Sequence, residues 1–287
     1  MSKVTVAAVQ MTYGLEQAAE QVEQAAAQGA QIILLPELFE NRYFCQERNY
    51  EHYKLAATLE ENPAVARMCE IARDFKVVLP VSYYERVGET TFNTVAVIDA
   101  DGTVLGQYRK THIPDDHFYQ EKFYFTPGDT GFRVWDTAYA KIGVGICWDQ
   151  WFPEAARCMA LEGAELLFYP TAIGSEPILD CDSMPHWQRC MQGHAAANLM
   201  PLVAANRVGT ETVEPSPDNQ HQSSSLTFYG SSFIADETGA VVEQAPRGDA
   251  CILTHTFDLD GIREFRRSWG VFRDRRPSQY GALLTHG

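Results

Sequence analysis

The sequence predicts an α/β fold in which two mixed β-sheets face each other and helices cover their outer faces. Runs of β-branched apolar residues alternate with helical stretches along the whole chain of 287 residues, and such alternation is typical of layered α/β proteins. Each half also contains a hairpin, with an Asp-Gly turn at 101–102 and a Glu-Thr-Gly turn at 237–239, which adds antiparallel strands to each sheet. No segment has the composition of a linker, so we expect a single domain over residues 1–287.

In the first half of the chain, short apolar runs predict the strands, and Pro63 marks the first turn of the second helix. In order, the predicted elements are a strand at 4–10, a helix at 16–28, a strand at 31–37, a helix at 63–75, a strand at 76–84 and a hairpin at 91–110.

The second half continues the same alternation. In order, the predicted elements are a strand at 141–146, a helix from Pro153, a strand at 164–170, a helix at 186–199, a strand at 201–209, a hairpin at 231–244 and a strand at 250–260. Residues 209–225 are polar and rich in Pro and Ser, which predicts either a long functional loop or a disordered segment. The arginine-rich tail at about 262–287 is expected to take part in packing or subunit contacts.

The composition excludes several classes of protein. With 45% hydrophobic and 21% charged residues, the chain has the balance of an ordinary soluble globular protein, and no run approaches the ~18 apolar residues of a membrane-spanning helix. The net charge of −15 opposes binding to nucleic acid or to an anionic membrane, because both depend on cationic protein surface. A small cationic substrate is better suited to that charge.

The cysteines indicate a reducing compartment. There are seven of them, an odd number without a CxxC pair, which argues against a disulfide framework and against a tetrahedral zinc site. The chain also begins with a strand-like segment rather than a secretion signal. We therefore expect a cytoplasmic protein without a bound metal.

Three ionisable residues directly follow predicted strands, where ligand sites of α/β sheets lie. Glu37 follows IILLP, Lys110 follows TVLGQYR and Cys147 follows KIGVGI. A cysteine between a strand and a helix start, near a cation, has the setting of a nucleophile whose thiolate is favoured by the helix dipole. A carboxylate can accept the thiol proton, and a lysine together with the backbone N–H of Trp148 can stabilise an oxyanion.

Each of these residues also has an ordinary structural interpretation. Cys147 can be a buried packing residue, Glu37 a solvated strand end or a partner of Arg42, and Lys110 an edge-strand charge that discourages aggregation. Spacing alone leaves both interpretations open.

Taken together, the three motifs resemble the signature regions of a known enzyme group. LLPELFENRYF, YRKTHIP and GICWDQWFPEAAR resemble, in order and context, those of the nitrilase superfamily of carbon–nitrogen hydrolases. The resemblance covers nearly the whole chain, and GAELLFYPTAIGSEP and SWGVFRDRRPSQY are similar to the branch that hydrolyses N-carbamoylputrescine in polyamine synthesis from arginine through agmatine. It implies a four-layer α-β-β-α sandwich, a homo-oligomer and a reaction that needs no cofactor.

The resemblance also implies roles for individual residues. Glu37 corresponds to the general base, Lys110 to the catalytic lysine, Cys147 to the nucleophile and Glu121 to the second glutamate of many amidase members. Glu121 is expected to orient Lys110 or the substrate NH2, and the alternative is a surface pair with Lys122.

The proposed substrate ends in an ammonium group, which a pocket meets with carboxylates or aromatic faces. Glu176 in AIGSEP is the first candidate for this contact, and Asp115, Asp116 and Tyr43 are further candidates. Glu176 can also be a solvated loop residue. Related amidohydrolases that act on carbamoyl amino acids or ω-amides, and a catalytically silent member of the fold, remain the alternatives.

Overall fold

The computed structural model describes residues 2–175, 177–178 and 180–285. Within them, two β-layers face each other and helices cover both outer faces, which confirms the α-β-β-α sandwich expected from the sequence. The strands are β1 Lys3–Gln10, β2 Ile32–Leu34, β3 Leu79–Val87, β4 Thr90–Ile98, β5 Val104–Arg109, β6 Val134–Asp136, β7 Lys141–Val144, β8 Leu166–Thr171, β9 Leu202–Asn206, β10 Val208–Val213, β11 Ser224–Tyr229, β12 Phe233–Ala235, β13 Val241–Gln244 and β14 Cys251–Asp258. The α-helices are α1 Leu15–Ala27, α2 Pro63–Phe75, α3 Pro153–Leu161, α4 Met184–Asn198 and α5 Leu259–Trp269.

The first β-layer has the order β14-β1-β2 followed by β3-β4-β5. The two parts are joined by a parallel bridge between Ile32 and Val78, in which the Ile33 N–H donates to Val78 O at 3.0 Å and the Val78 N–H donates to Gln31 O at 2.8 Å. Strands β1 and β2 run parallel. Helices α1 and α2 pack their alanine-rich faces on the outside of this layer.

The second β-layer has the order β13-β12-β9-β8-β7-β6. Its three central strands β7, β8 and β9 run parallel, so their carboxyl ends lie at one edge of the layer. Helices α3 and α4 cover the outer face, where Met159, Trp187 and Met191 pack against β8 and β9.

The apolar core between the two layers follows from the two-residue period of the strands. In β1, Val4, Val6 and Ala8 face the second layer, whereas Ala7 and Val9 face α1 and α2. A fully buried side chain of valine size contributes roughly 1.5–3 kcal/mol. Burial on both faces explains why these strands appear as continuous apolar runs in the sequence.

Some element boundaries differ from those predicted. The strand expected at 31–37 ends at Leu34, because the next residues leave the layer to present Glu37. The strand expected at 201–209 divides around Arg207 into β9 and β10, and β10 pairs with β11 outside the main layer. Helix α5 and strands β6 and β11 were not predicted.

The polar segment 209–225 is not one continuous loop. It forms β10, a turn and the start of β11, and Asn219 at the turn is only 2% exposed. The turn is held to the body of the protein by Gln222, whose side chain accepts from Arg48 N at 3.0 Å and donates to Arg48 O at 3.1 Å. Polar composition suggested mobility, but these side chains replace the missing apolar contacts with main-chain hydrogen bonds.

Across the described part of the chain, no helix combines the length and the apolar character needed to cross a membrane.

Candidate active site

Cys147 lies at a sharp turn directly beyond β7. We call residues 145–149 the elbow, and here Cys147 has a φ of 39°, a left-handed conformation that costs a non-glycine residue on the order of 1–3 kcal/mol. The surrounding structure holds this conformation by packing closely on the chain before Cys147. A Cβ added to Gly145 would lie 2.6 Å from the Tyr169 ring, and a Cβ added to Gly143 would lie 2.9 Å from Met159 Sδ. The two glycines therefore permit the close approach that the sequence predicted.

The elbow is held in place by Asp149, whose carboxylate is fully buried. Its Oδ2 accepts from Ile146 N at 2.9 Å and from the Tyr108 hydroxyl at 2.8 Å. Its Oδ1 accepts from His112 N at 3.1 Å and lies 2.7 Å from His112 Nδ1. Because Tyr108 and His112 flank Lys110 in the chain, Asp149 ties the lysine-bearing segment to the elbow.

Glu37 lies just beyond β2 and is fully buried. Its backbone N–H donates to Thr171 O of the opposite β-layer at 3.3 Å, and its Oε1 accepts from Asn93 Nδ2 at 2.7 Å. Oε2 has no hydrogen-bond partner within the residues that the structure describes. One carboxylate oxygen is thus anchored, and the other can accept a proton.

Lys110 is fully buried between two carboxylates. Its Nζ donates to Glu37 Oε1 at 2.8 Å and to Glu121 Oε2 at 2.6 Å. An ammonium group has three donors, so these two bonds leave one N–H for a ligand. The ion pair with Glu121 also decides between the two interpretations of that residue, because Glu121 is 1% exposed and faces Lys110 rather than the surface.

The charges in this cluster act on one another. Burial lowers the pKa of Lys110, but Glu121 and Glu37 more than compensate and hold it well above its ordinary value. Burial raises the pKa of Glu121, and nearby Glu37 adds to this effect. Lys110 is therefore the ammonium that partly neutralises two carboxylates.

Cys147 carries a neutral thiol in this setting. Burial raises its pKa well above the ordinary value and Glu37 raises it further, while Lys110 opposes them. Burial and the neighbouring carboxylate therefore oppose the stabilisation of the thiolate that is expected from the helix dipole. The thiol needs a base, and of the two carboxylates that raise its pKa, Glu37 has the larger effect and Glu121 the smaller.

A cleft of about 420 Å³ opens above the cluster. Cys147 and Glu121 lie in its wall, and Asp115, Asp116 and Trp148 line it as well. Its aromatic side is formed by Trp148, Trp151 and His186, with the two tryptophan rings 6.1 Å apart and the Trp151 and His186 rings 4.8 Å apart. The described lining residues include carboxylates and aromatic rings but no lysine or arginine.

A sequence model described as carbon-nitrogen hydrolase matches residues 5–267. The chain belongs to the carbon–nitrogen hydrolase family.

Similar proteins cover almost the whole chain. The N-carbamoylputrescine amidase of Arabidopsis thaliana is 57% identical over 92% of this chain and 87% of its own length. The citrullinase of Francisella tularensis subsp. tularensis is 50% identical over 99% of both chains. Among solved structures, a carbon–nitrogen hydrolase from Helicobacter pylori G27 superposes with a TM-score of 0.89 at 39% identity, covering 99% of both chains.

Within this carbon–nitrogen hydrolase fold, Tyr43 lies behind the site rather than on the wall of the cleft. It is 1% exposed, and its hydroxyl donates to Glu121 Oε1 at 2.8 Å. Its ring packs against Tyr119 and Phe228. Tyr43 thus contacts a residue of the charged cluster, whereas a direct contact with a substrate ammonium was expected. Glu176, the first candidate for that contact, lies outside the described residues.

Several residues of this hydrolase site were missed at the sequence level. Asn93 lies inside β4 and Asp149 inside the elbow, and neither follows a strand end. The signal that identifies them is a polar residue of a type that is seldom buried, placed within an apolar stretch. Such a residue needs a partner: the partner of Asn93 is Glu37, and those of Asp149 include Tyr108 and His112, on either side of Lys110.

Replacing Asp149 with Asn tests the brace between the two motifs. We expect a loss of about 1–3 kcal/mol in the free energy of unfolding, because the amide nitrogen cannot accept from the donors now held by one carboxylate oxygen. We also expect kcat to fall, because both the elbow and the Lys110 segment are displaced. Urea unfolding and amide hydrolysis measure the two effects.

Asp236→Asn is the matched control, because Asp236 Oδ1 also accepts several bonds, from Thr238 N, Thr238 Oγ1 and Ala240 N, but in a distant hairpin turn. It is expected to lower stability only. Equal kcat values in the two variants would show that Asp149 does not position the site.

Proposed function

We propose that the protein hydrolyses N-carbamoylputrescine to putrescine, carbon dioxide and ammonia by acyl transfer to Cys147. The observation that carries the proposal is the buried cluster of Cys147, Glu37, Lys110 and Glu121, of which Cys147 and Glu121 line one cleft. It combines a nucleophile, a base with an unengaged oxygen and a fixed cation, which is the set that acyl transfer requires.

In the first step, Glu37 Oε2 accepts the thiol proton as Cys147 Sγ attacks the ureido carbon. The negative charge that develops on the ureido oxygen is stabilised by the remaining Lys110 N–H and by the Trp148 N–H of the elbow. Glu37 then returns the proton to the terminal nitrogen, and ammonia leaves. The product of this step is a carbamoyl group bound to sulfur as a thioester-type intermediate.

In the second step, Glu37 accepts a proton from a water molecule that attacks the same carbon. The C–S bond breaks and the proton returns to the thiolate. The released carbamic acid decomposes to the amine and carbon dioxide. Glu121, together with its hydrogen bond from Tyr43, keeps Lys110 in place during both steps.

The wall of the cleft supports a cationic substrate. Asp115 and Asp116 offer two carboxylates, and Trp148 and Trp151 offer aromatic faces for an ammonium or its alkyl chain. Glu176 remains a proposed contact on the basis of its position in the sequence. The 57% identical Arabidopsis relative, named for N-carbamoylputrescine, supports the same substrate.

Citrulline is the second candidate substrate, because it carries the same ureido group. Its carboxylate needs a cation, and Arg48 lines a neighbouring cavity of about 470 Å³ that shares Asp115 and Asp116 with the cleft. The bacterial relative named citrullinase supports this alternative. The absence of lysine and arginine from the described lining of the catalytic cleft favours the diamine.

Ammonia release from four compounds tests the proposal: N-carbamoylputrescine, citrulline, N-carbamoyl-β-alanine and a plain ω-amide. We expect the highest kcat/KM for N-carbamoylputrescine and no turnover by Cys147→Ser. A higher kcat/KM for citrulline would replace the proposed substrate, and full activity of Cys147→Ser would overturn the mechanism.

The carboxylates of the cleft give a further prediction. Asp115→Asn is expected to raise KM for N-carbamoylputrescine about 2- to 5-fold, since an exposed ion pair contributes up to about 1 kcal/mol. We expect kcat to stay unchanged, because Asp115 is not one of the residues proposed to act on the bond that breaks. N-Butylurea, which lacks the ammonium, is the control substrate, and an equal rise in its KM would exclude a charge contact.

We further propose that residues 1–287 form one domain, acting in the cytoplasm within polyamine synthesis from arginine through agmatine.

The tail at 262–287 is proposed to contact a second copy of the chain. Trp269 and Leu284 are 65% and 91% exposed in one copy, and apolar side chains of this size are stabilised by an interface. Sedimentation velocity measures the mass of the assembly, and a monomer would overturn the proposed contact.

A further inference from the structure

A second buried ion pair contacts the backbone of Glu37 and does not line the cleft. Arg207 is fully buried and Glu211 is 6% exposed, and Arg207 Nη1 donates to Glu211 Oε1 at 3.0 Å. Burying two charges is costly, and the attraction between them offsets this only when further hydrogen bonds satisfy the remaining donors and acceptors. The groups that form those further hydrogen bonds with Arg207 and Glu211 therefore indicate the role of the ion pair.

The other donors of Arg207 converge on the segment that presents Glu37. Nε donates to Glu37 O at 3.2 Å, and Nη2 donates to Leu38 O and to Asn41 O, the latter at 2.8 Å. Leu38 has a φ of 49°, and a bulky side chain such as leucine rarely adopts this left-handed conformation. The guanidinium thus holds three carbonyl groups around a strained turn.

The other oxygen of Glu211 reaches the same segment further along. Glu211 Oε2 accepts from the Tyr43 N–H at 2.7 Å, and the Tyr43 hydroxyl donates to Glu121. One end of the ion pair therefore fixes the backbone of Glu37, and the other fixes the residue that orients Glu121.

We propose that Arg207 and Glu211 are positioning residues that set the placement of Glu37 and, through Tyr43, of Glu121. The inference rests on the proposed function insofar as Glu37 is the base. It explains why β9 and β10 are interrupted at Arg207: the side chain leaves the β-layer at the strand end and spans the back of the site. It also explains the charges, because only a planar fork with five donors serves three carbonyls and a carboxylate together.

Arg207→Lys is the first test, because lysine keeps the charge but cannot make these bonds simultaneously. We expect kcat to fall about 10- to 100-fold, since a displacement of about 1 Å of a catalytic group costs up to 10²-fold. KM is expected to stay within about 2-fold, because neither residue lines the cleft. Glu211→Gln is the second variant. It keeps the size of the side chain but leaves one acceptor oxygen for two donors, Arg207 Nη1 and the Tyr43 N–H. We again expect kcat to fall and KM to stay within about 2-fold.

A second readout is independent of the identity of the substrate. The rate of alkylation of Cys147 by iodoacetamide at neutral pH, followed by mass spectrometry of its peptide, reports proton transfer from the thiol to Glu37. We expect it to fall in both variants. If no tested amide is hydrolysed, the proposed substrate fails, but the alkylation rates still decide the role of Arg207 and Glu211.

Arg266→Lys is the matched control. Arg266 also donates to two carbonyls, Asn198 O and Ala164 O, each at 3.0 Å, but it lies on α5 away from the cleft. It is expected to keep native kcat and native alkylation. Native rates in folded Arg207→Lys, or in folded Glu211→Gln where the arginine variant does not fold, would overturn the proposal, as would equal losses in Arg266→Lys.

Discussion

Cys147→Ala is expected to lower kcat by on the order of 10⁶-fold, the loss typical of an acyl-transfer enzyme without its nucleophile. Asn93, Lys110 and Glu121 make no hydrogen bond to the thiol, so the charged cluster stays assembled. The folded structure and the affinity for N-carbamoylputrescine are therefore expected to persist. Single-turnover ammonia release measures the first effect, and calorimetric titration with the substrate measures the second.

Cys69→Ala is the control, because Cys69 is a partly buried thiol on α2 and is expected to keep native kcat. Cys69→Ala removes a thiol that is not the proposed nucleophile, so comparing it with Cys147→Ala isolates the effect of losing the nucleophile. Residual activity of Cys147→Ala above about one part in 10³ would require another nucleophile.

Lys110→Met is expected to have the largest effect on stability. It leaves Glu37 and Glu121 buried without their shared cation, and breaking a buried ion pair in this way costs about 3–5 kcal/mol. The loss of oxyanion stabilisation is expected to lower kcat by about 10²- to 10³-fold as well. Urea unfolding and steady-state kinetics measure the two effects.

The stability of Lys110→Met is also expected to depend on pH. Burial and Glu37 raise the pKa of Glu121 in the native protein while Lys110 lowers it, so the substitution raises this pKa further. A carboxyl whose folded pKa exceeds its unfolded value contributes its stability fully below the unfolded pKa and loses it as the pH rises through the folded pKa. The variant is therefore expected to be less stable at pH 8 than at pH 5.5.

Two comparisons support or contradict this account. Adding Glu121→Gln to Lys110→Met is expected to restore much of the stability at pH 8, because it removes one uncompensated charge. Lys141→Met, which removes a half-exposed lysine paired with Asp136, is expected to change stability by less than about 1 kcal/mol. An equal loss of unfolding free energy by Lys110→Met at pH 5.5 and at pH 8 would contradict the proposed role of Glu121.

The sequence by itself determined the alternation of strands and helices and the chemical types found at three strand ends. Apolar runs are a local property of the sequence, so strands β1 and β7 could be predicted, and Glu37, Lys110 and Cys147 stand out because each follows such a run. Resemblance of the surrounding motifs to carbon–nitrogen hydrolases identified the family before any coordinates.

Only the tertiary structure decided which residues hold these three in place and what charge they carry. Asn93 is 56 positions from Glu37 and Arg207 is 170, and nothing local in the sequence links residues so far apart. The pKa of Cys147 depends on burial, which arises when the two β-layers meet and which opposes the effect expected of a nearby helix start. The chemistry of the site follows from residue types that can be identified in the sequence. Its geometry depends on long-range contacts that exist only in the folded protein.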